Sequence, residues 1–222
     1  MKIKEVNIKK IAEHCIENVF RTNTNSPGFV YLDFGENRTS SELRAIMVAL
    51  KNELSVFTLR RFNKELSYHW LVRFDQQVST PFHLDNAEDQ SFLMLGYEPS
   101  AIESELYIAD YYKYANDHKE ASEEYLKNFT PVFKEDEAIL TPYITKLASF
   151  DKHTYKIVLI NNSNPKQGRE TLGVFHKAKI VKPDLNKSRT VNSMIFNMLS
   201  KDNNIEDQKK EHAFLNTDII SK

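Results

Sequence analysis

The chain reads as an α+β protein, mainly β, with helices at its N-terminus and at one crossover. Three observations lead there. Runs rich in β-branched and aromatic residues fill much of 67–98 and 154–196. Helical periodicity marks 3–21, 40–54 and 112–129. A content of 41% hydrophobic and 27% charged residues over 222 positions supplies enough apolar material for a sizeable core. We expect a single domain, with 1–67 as N-terminal support, 68–199 as the β core and 200–222 as a polar tail.

Residues 3–21 place Ile8, Ile11, Cys15 and Val19 on one helical stripe, which makes the lone cysteine a core thiol rather than a nucleophile. T-N-T-N-S-P-G at 22–28 is dense in turn formers, and F-V-Y-L-D-F at 29–34 is a short strand. Thr39 and Glu42 have capping-box spacing, and Leu43, Ile46, Met47, Leu50 and Leu54 continue from them as a helix over 40–54. The basic run between Phe57 and Phe62 stays unassigned. S-Y-H-W-L-V-R-F-D-Q-Q-V and S-F-L-M-L-G-Y-E-P then bracket a central segment as a bent β unit. E-L-Y-I-A-D-Y at 105–111 fits either a strand or a helix start. Residues 112–129, with Tyr114, Ala121, Tyr125 and Phe129 at helical intervals, read as a surface helix crossing the sheet. T-Y-K-I-V-L-I-N-N-S, G-V-F-H-K-A-K-I-V and R-T-V-N-S-M-I-F supply three more strands, and the polar run beyond Leu199 is a frayed helix or tail.

Charge and cysteine usage narrow the class. Thirty Lys and Arg against 31 Asp and Glu give a net charge of −1, without the basic footprint of a nucleic-acid binder. One cysteine forbids an intrachain disulfide and a Cys-rich zinc site, and suits a reducing compartment. The N-terminus has no apolar stretch of signal-peptide length, and no window approaches the roughly 20 apolar residues of a membrane span. We therefore expect a cytoplasmic protein that engages neither membrane nor nucleic acid. The helices at 3–21 and 112–129 could each carry a dimer face, but packing accounts for their apolar positions and the oligomeric state stays open.

The chemistry concentrates at His83 and Asp85. Phe82 and Leu84 mark the segment as extended, and an extended chain sends residues i and i+2 to the same face. His176 is the third candidate. Leu172, Val174, His176, Ala178 and Ile180 alternate onto one apolar face, where an imidazole is either hydrogen-bonded in the core or a metal ligand. Asp85 would be costly in a core without a cation, which favours the ligand reading. Two histidines and a carboxylate that leave positions open form the facial triad of non-haem Fe(II) chemistry. His69, His118, His153 and His212 have no carboxylate at a matching spacing, and packing accounts for the cluster Tyr107, Tyr111, Tyr112 and Tyr114. Arg189 opens the strand after His176 and is the candidate to grip a carboxylate bidentately, with a surface arginine pairing Asp184 as the alternative and Lys187 as the substitute cation.

H-L-D, a long gap, a strand carrying His and a strand carrying Arg, in that order, resemble the Fe(II)/2-oxoglutarate-dependent dioxygenase superfamily over residues 68–199. The N-N-S turn before G-V-F-H is similar to the polar turn that often precedes the distal histidine there. The resemblance implies a double-stranded β-helix, or jelly roll, with helices outside one sheet. It implies Fe(II) held by His83, Asp85 and His176, and 2-oxoglutarate as cosubstrate with its distal carboxylate on Arg189. It also implies O2, release of CO2 and succinate, and hydroxylation of a small molecule or side chain. Gln77, Tyr97 and Asn161 are lesser candidates for hydrogen bonds to cosubstrate or substrate, each equally able to satisfy backbone. The alternatives are a jelly-roll metal- or ligand-binding protein without oxoacid turnover, and a cupin-type metalloenzyme that does not use 2-oxoglutarate.

Overall fold

Side-chain caps start both N-terminal helices. In the computed structural model, which describes residues 1–118, 125–148, 150, 152–166, 170–200 and 204–221, helix α1 spans Ile8–Val19. It begins at Asn7, whose side chain accepts from Lys10 N, and the segment before it is tied to the end of β1 (Phe29–Asp33) by Ile3 N donating to Asp33 O at 2.7 Å. Helix α2 (Ser40–Phe62) opens on the Thr39/Glu42 capping box. It runs past Leu54 and takes in the basic run, where Arg60 and Arg61 complement the negative end of the helix dipole. Asn63, at φ 54°, ends it in the left-handed conformation.

Two antiparallel sheets follow. The larger orders its strands β1 (Phe29–Asp33), β6 (Lys156–Asn161), β3 (Ser91–Tyr97), β8 (Thr190–Leu199) and β2 (Glu65–Asp75). The smaller orders β5 (Ile144–Lys146), β4 (Ser104–Ala109) and β7 (Phe175–Ile180). The ambiguous segment at 105–111 is both things in turn. β4 ends at Ala109, and Asp110 then caps helix α3 (Tyr111–Asp117) by accepting from Lys113 N. Of the crossover helix expected over 112–129, residues 119–124 lie outside the described residues, and 125–127 are helical. Residues read as a frayed helix or tail form helix α4 (Asn204–Asn216). Asp207 docks it by accepting from Lys51 Nζ at 2.9 Å and Tyr68 N at 3.1 Å, a polar anchor that an apolar-periodicity reading does not register.

The larger sheet is covered on both faces. Ile11, Cys15, Leu50 and Leu54 of the helices pack on Leu32, Phe92, Leu159 and Phe196. On the opposite face Leu93, Leu95, Val158 and Ile195 meet Leu106 and Ile108 of the smaller sheet. β3 and β8 are therefore buried along almost their whole length. A β-bulge between Tyr68 and Trp70 inverts β2. Leu66 and Tyr68 turn toward the helices, whereas Trp70, Val72, Phe74 and Gln76 line the space between the sheets. Among the described residues no helix is long and apolar enough to cross a membrane.

Candidate metal centre and its cavity

Backbone pairing puts the two histidines opposite each other. His83 N donates to His176 O and His176 N to His83 O, both at 3.0 Å, so residues 80–84 lie along β7 as an added thread of the smaller sheet. Residues paired in this way project side chains to the same face. The imidazole centroids are 4.2 Å apart, and Asp85 follows two residues on. Its Oδ1 lies 3.4 Å from His83 Nε2 and its Oδ2 3.7 Å from His176 Nε2. One ligand atom from each residue falls within 4.8 Å of the others, and among the described residues this is the only such group of three His, Cys, Asp or Glu side chains. Adjacent ligands on an ion with bonds near 2.1 Å sit about 3 Å apart, so small side-chain adjustments would bring all three atoms onto one ion.

The surroundings prepare the donors. Pro81 O accepts from His83 Nδ1 at 2.9 Å, so neutral His83 carries its proton there and presents the Nε2 lone pair. Burial opposes protonation of His83, but the hydrogen bond to Asp85 and the Pro81 and His176 carbonyls outweigh it and hold its pKa above the ordinary value. Burial also works against the Asp85 carboxylate. His176 and His83 prevail, and its pKa lies below the usual range. For His176 burial dominates, pushing the pKa down to about 4 and leaving a neutral ring. Its Nδ1 is buried without a hydrogen-bond partner. An anionic carboxylate beside the neutral His176 ring, with His83 able to offer Nε2 once a cation displaces its proton, is a donor set that suits a divalent cation.

Asn162, which sequence reasoning passed over, secures this carboxylate from behind. Its Oδ1 accepts from Asp85 N at 2.8 Å and its Nδ2 donates to Asp85 O at 3.0 Å and Ser91 Oγ at 2.9 Å. The N-N-S motif was the available signal, but the neighbouring asparagine is the one that reaches the site. Asn161 is fully buried elsewhere, donating to Val19 O and accepting from Ser163 N. Gly173 lets the approach to β7 lie against this turn, since a Cβ there would sit 2.1 Å from Ser163 O.

The donors open into a cavity of about 430 Å³ between the sheets. Its walls follow the strand registers. Trp70, Ile195 and Leu93 form one rung, Val72, Ser193 and Leu95 the next, and Phe74, Val191 and Tyr97 the third. Gln76 and Arg189 lie beyond the third. On the facing sheet His176 pairs with Ile108, Ala178 with Leu106 and Ile180 with Ser104. From His176 to Ile180 is about 13 Å of strand. Arg189, only 2% exposed, lies just behind the Gln76 and Tyr97 lining: its Nε donates to Ser104 Oγ at 2.7 Å and its Nη1 to Gln76 Oε1 at 2.6 Å. Its Cζ lies 4.9 Å from the Tyr97 ring centroid, while its Nη2 and the Tyr97 hydroxyl are buried without partners. Burial pulls the Arg189 pKa below its ordinary value.

Tyr97 thus lines the cavity, whereas Gln77 does not. The Gln77 amide ties two loops together, donating to Lys187 O and Asp75 Oδ2 and accepting from Asp184 N. Gln76 takes the inward place, as alternation onward from Trp70, Val72 and Phe74 requires. Lys187 pairs with Asp184 at 3.1 Å on the surface. Tyr111 is spent on packing, its hydroxyl donating to Ser163 O.

No family model matches the chain, and no curated protein matches it. Among solved structures it is similar to the Kdo hydroxylase KdoO, described as a non-heme Fe(II) alphaketoglutarate-dependent dioxygenase. The complex with alphaketoglutarate and Fe(III) gives a TM-score of 0.42 at 9% identity, over 96% of this chain and 94% of that one. The succinate and Fe(III) complex gives 0.38 at 10% identity, over 100% and 97%. The cobalt(II) complex gives 0.38 at 9%, over 100% and 97%. These values describe a distant likeness in shape.

Proposed function

We propose that this chain is an Fe(II)- and 2-oxoglutarate-dependent oxygenase of jelly-roll type that hydroxylates a small molecule or side chain. One observation carries the proposal. A single cavity is lined by His83, Asp85 and His176 and reaches Gln76 and Tyr97, and directly behind those two lies the buried Arg189 guanidinium with no carboxylate at ion-pair distance among the described residues. A ligand that binds a metal at one end and presents a carboxylate at the other satisfies both groups, and a dicarboxylic 2-oxoacid has that form.

In this reading His83 Nε2, Asp85 and His176 Nε2 hold the metal, and Asn162 keeps Asp85 in place. Arg189 takes the distal carboxylate through Nη2, and Ser104 and Gln76 orient the guanidinium. The Tyr97 hydroxyl supplies a second donor beside it. Leu93, Leu95 and Leu106 exclude water from the space between. Bound iron would supply O2 activation coupled to oxoacid decarboxylation: 2-oxoglutarate, O2 and a substrate C–H become succinate, CO2 and C–OH.

The test is metal content and succinate formation on wild type and His83→Ala, purified anaerobically with Fe(II) added. Succinate formed by wild type and lost in the variant is the expected result. Metal binding without succinate would overturn the oxoacid part, and absence of metal would overturn the whole reading.

A further inference from the structure

The cavity wall includes a large aromatic side chain that the metal and oxoacid do not use. Trp70 stands on the rung nearest the metal donors and is 43% exposed, whereas the neighbouring wall residues Leu93 and Leu106 are buried at 0% and 1%. Tryptophan carries much apolar surface, and leaving it open to water forfeits that burial. Its position is set by the bulge after Tyr68. In a regular strand, with His69 paired in the ladder, Trp70 would share the face of Leu66 and Tyr68 and pack under the helices. The backbone irregularity therefore places a flat, half-exposed apolar surface on the wall of the cavity that His83 and Asp85 also line.

The charges around it restrict the occupant. Apart from the three metal-donor residues and the Tyr97 phenol, no ionisable side chain lines the cavity among the described residues. Along β2, Arg73 faces the other side of the sheet and pairs with Glu98 at 3.1 Å, and the exposed His69 ring lies 6.2 Å from the indole, centroid to centroid, outside the cavity lining. A carboxylate brought against Trp70 and Val72 would lose water and gain no partner, and an ammonium would gain only the attraction of the indole face, weak at so exposed a site, against the water it loses. A neutral C–H-rich face would gain contact with the indole.

Building on the oxygenase reading, we propose that Trp70 is the substrate platform and that the substrate is uncharged there, laying a flat hydrocarbon face on the indole. Trp70 is the only tryptophan in the chain, so its emission reports this position alone. The experiment titrates cyclohexanol, cyclohexanecarboxylate and cyclohexylamine into wild type loaded with Mn(II) and 2-oxoglutarate. Emission and calorimetry are followed together. The expected result is saturable binding of cyclohexanol with a change in Trp70 emission, and at least tenfold weaker binding of both charged probes. By calorimetry, Trp70→Ala should lose cyclohexanol binding and Trp70→Phe should retain it. Equal or tighter binding of a charged probe overturns the proposal, as does unchanged cyclohexanol binding by Trp70→Ala. Thermal stabilisation by Mn(II) with 2-oxoglutarate is read separately. Its absence from wild type would remove the oxygenase reading, and its persistence in Trp70→Ala shows the variant folded with the metal end intact. The emission titration decides the platform in either case.

Discussion

Arg21 and Arg189 are equally buried, each 2% exposed, and are held in opposite ways. Arg21 has an acceptor for each of its five N–H groups: both Asp110 oxygens at 2.5 and 2.8 Å, and the carbonyls of Leu172, Ser26 and Gly173. It locks the end of α1 to the start of α3 and to the lead-in of β7. The Arg189 guanidinium donates only to the neutral acceptors Ser104 and Gln76 and its Nη2 is unpartnered, while the nearby Asp75 carboxylate accepts from the Arg189 backbone N and acts on the guanidinium only through space. Burying a cation without a counterion is unfavourable, so it persists where the rest of the fold outweighs the cost. A compensated arginine holds a structure together, and an uncompensated one beside a cavity is ready for an anion.

The largest effect that tests this contrast is on the compensated side. Asp110→Ala strands Arg21 in the interior and should cost about 3–5 kcal/mol of stability by urea unfolding. A cost below about 1 kcal/mol would show that Arg21 needs no counterion and would erase the contrast. Next comes the ligand itself. Mn(II) with 2-oxoglutarate at a hundredfold excess over Kd should stabilise wild type by about 2.7 kcal/mol in thermal unfolding. Arg189→Met should lose the oxoacid's share while its unliganded stability stays within about 1 kcal/mol of wild type. A large loss of unliganded stability would make Arg189 a second Arg21.

Smaller changes sharpen the same comparison. Asn162→Ala removes the support behind Asp85 and should weaken Co(II) binding about 10- to 100-fold by competition titration. Gln76→Glu would give Arg189 the carboxylate it lacks, and 2-oxoglutarate binding measured by calorimetry should fall at least about tenfold, some 1.4 kcal/mol. Gln77→Ala, whose amide only joins surface loops, should leave that binding unchanged.

The site was unevenly legible. His83 and Asp85 were accessible because i and i+2 on an extended chain share a face, and His176 because it interrupts an apolar alternation. Gln76 and Asn162 were each missed by one position. Counting alternation along β2 gives Gln76 only once the bulge has set which face Trp70 takes. Asn162 lies in a turn, where no period says which of two asparagines points at Asp85. The same limit applies to the fold. α2 was read short because its last turn is basic, and α4 was read as a frayed helix or tail because its anchor, Asp207 on Lys51 and Tyr68 N, joins residues far apart in the chain.

The sequence by itself determined where strands and helices alternate, which residues cap the helices, and which side chains can bind a metal or a carboxylate. Those properties depend on periodicity and residue type over a few neighbours. Only the tertiary structure decided that His83 faces His176, that Arg189 lies behind a cavity with no carboxylate paired to its guanidinium, and that Trp70 stands half exposed on that cavity's wall. Each of those follows from strand register, from one bulged residue and from pairings between distant segments, and no local pattern encodes them.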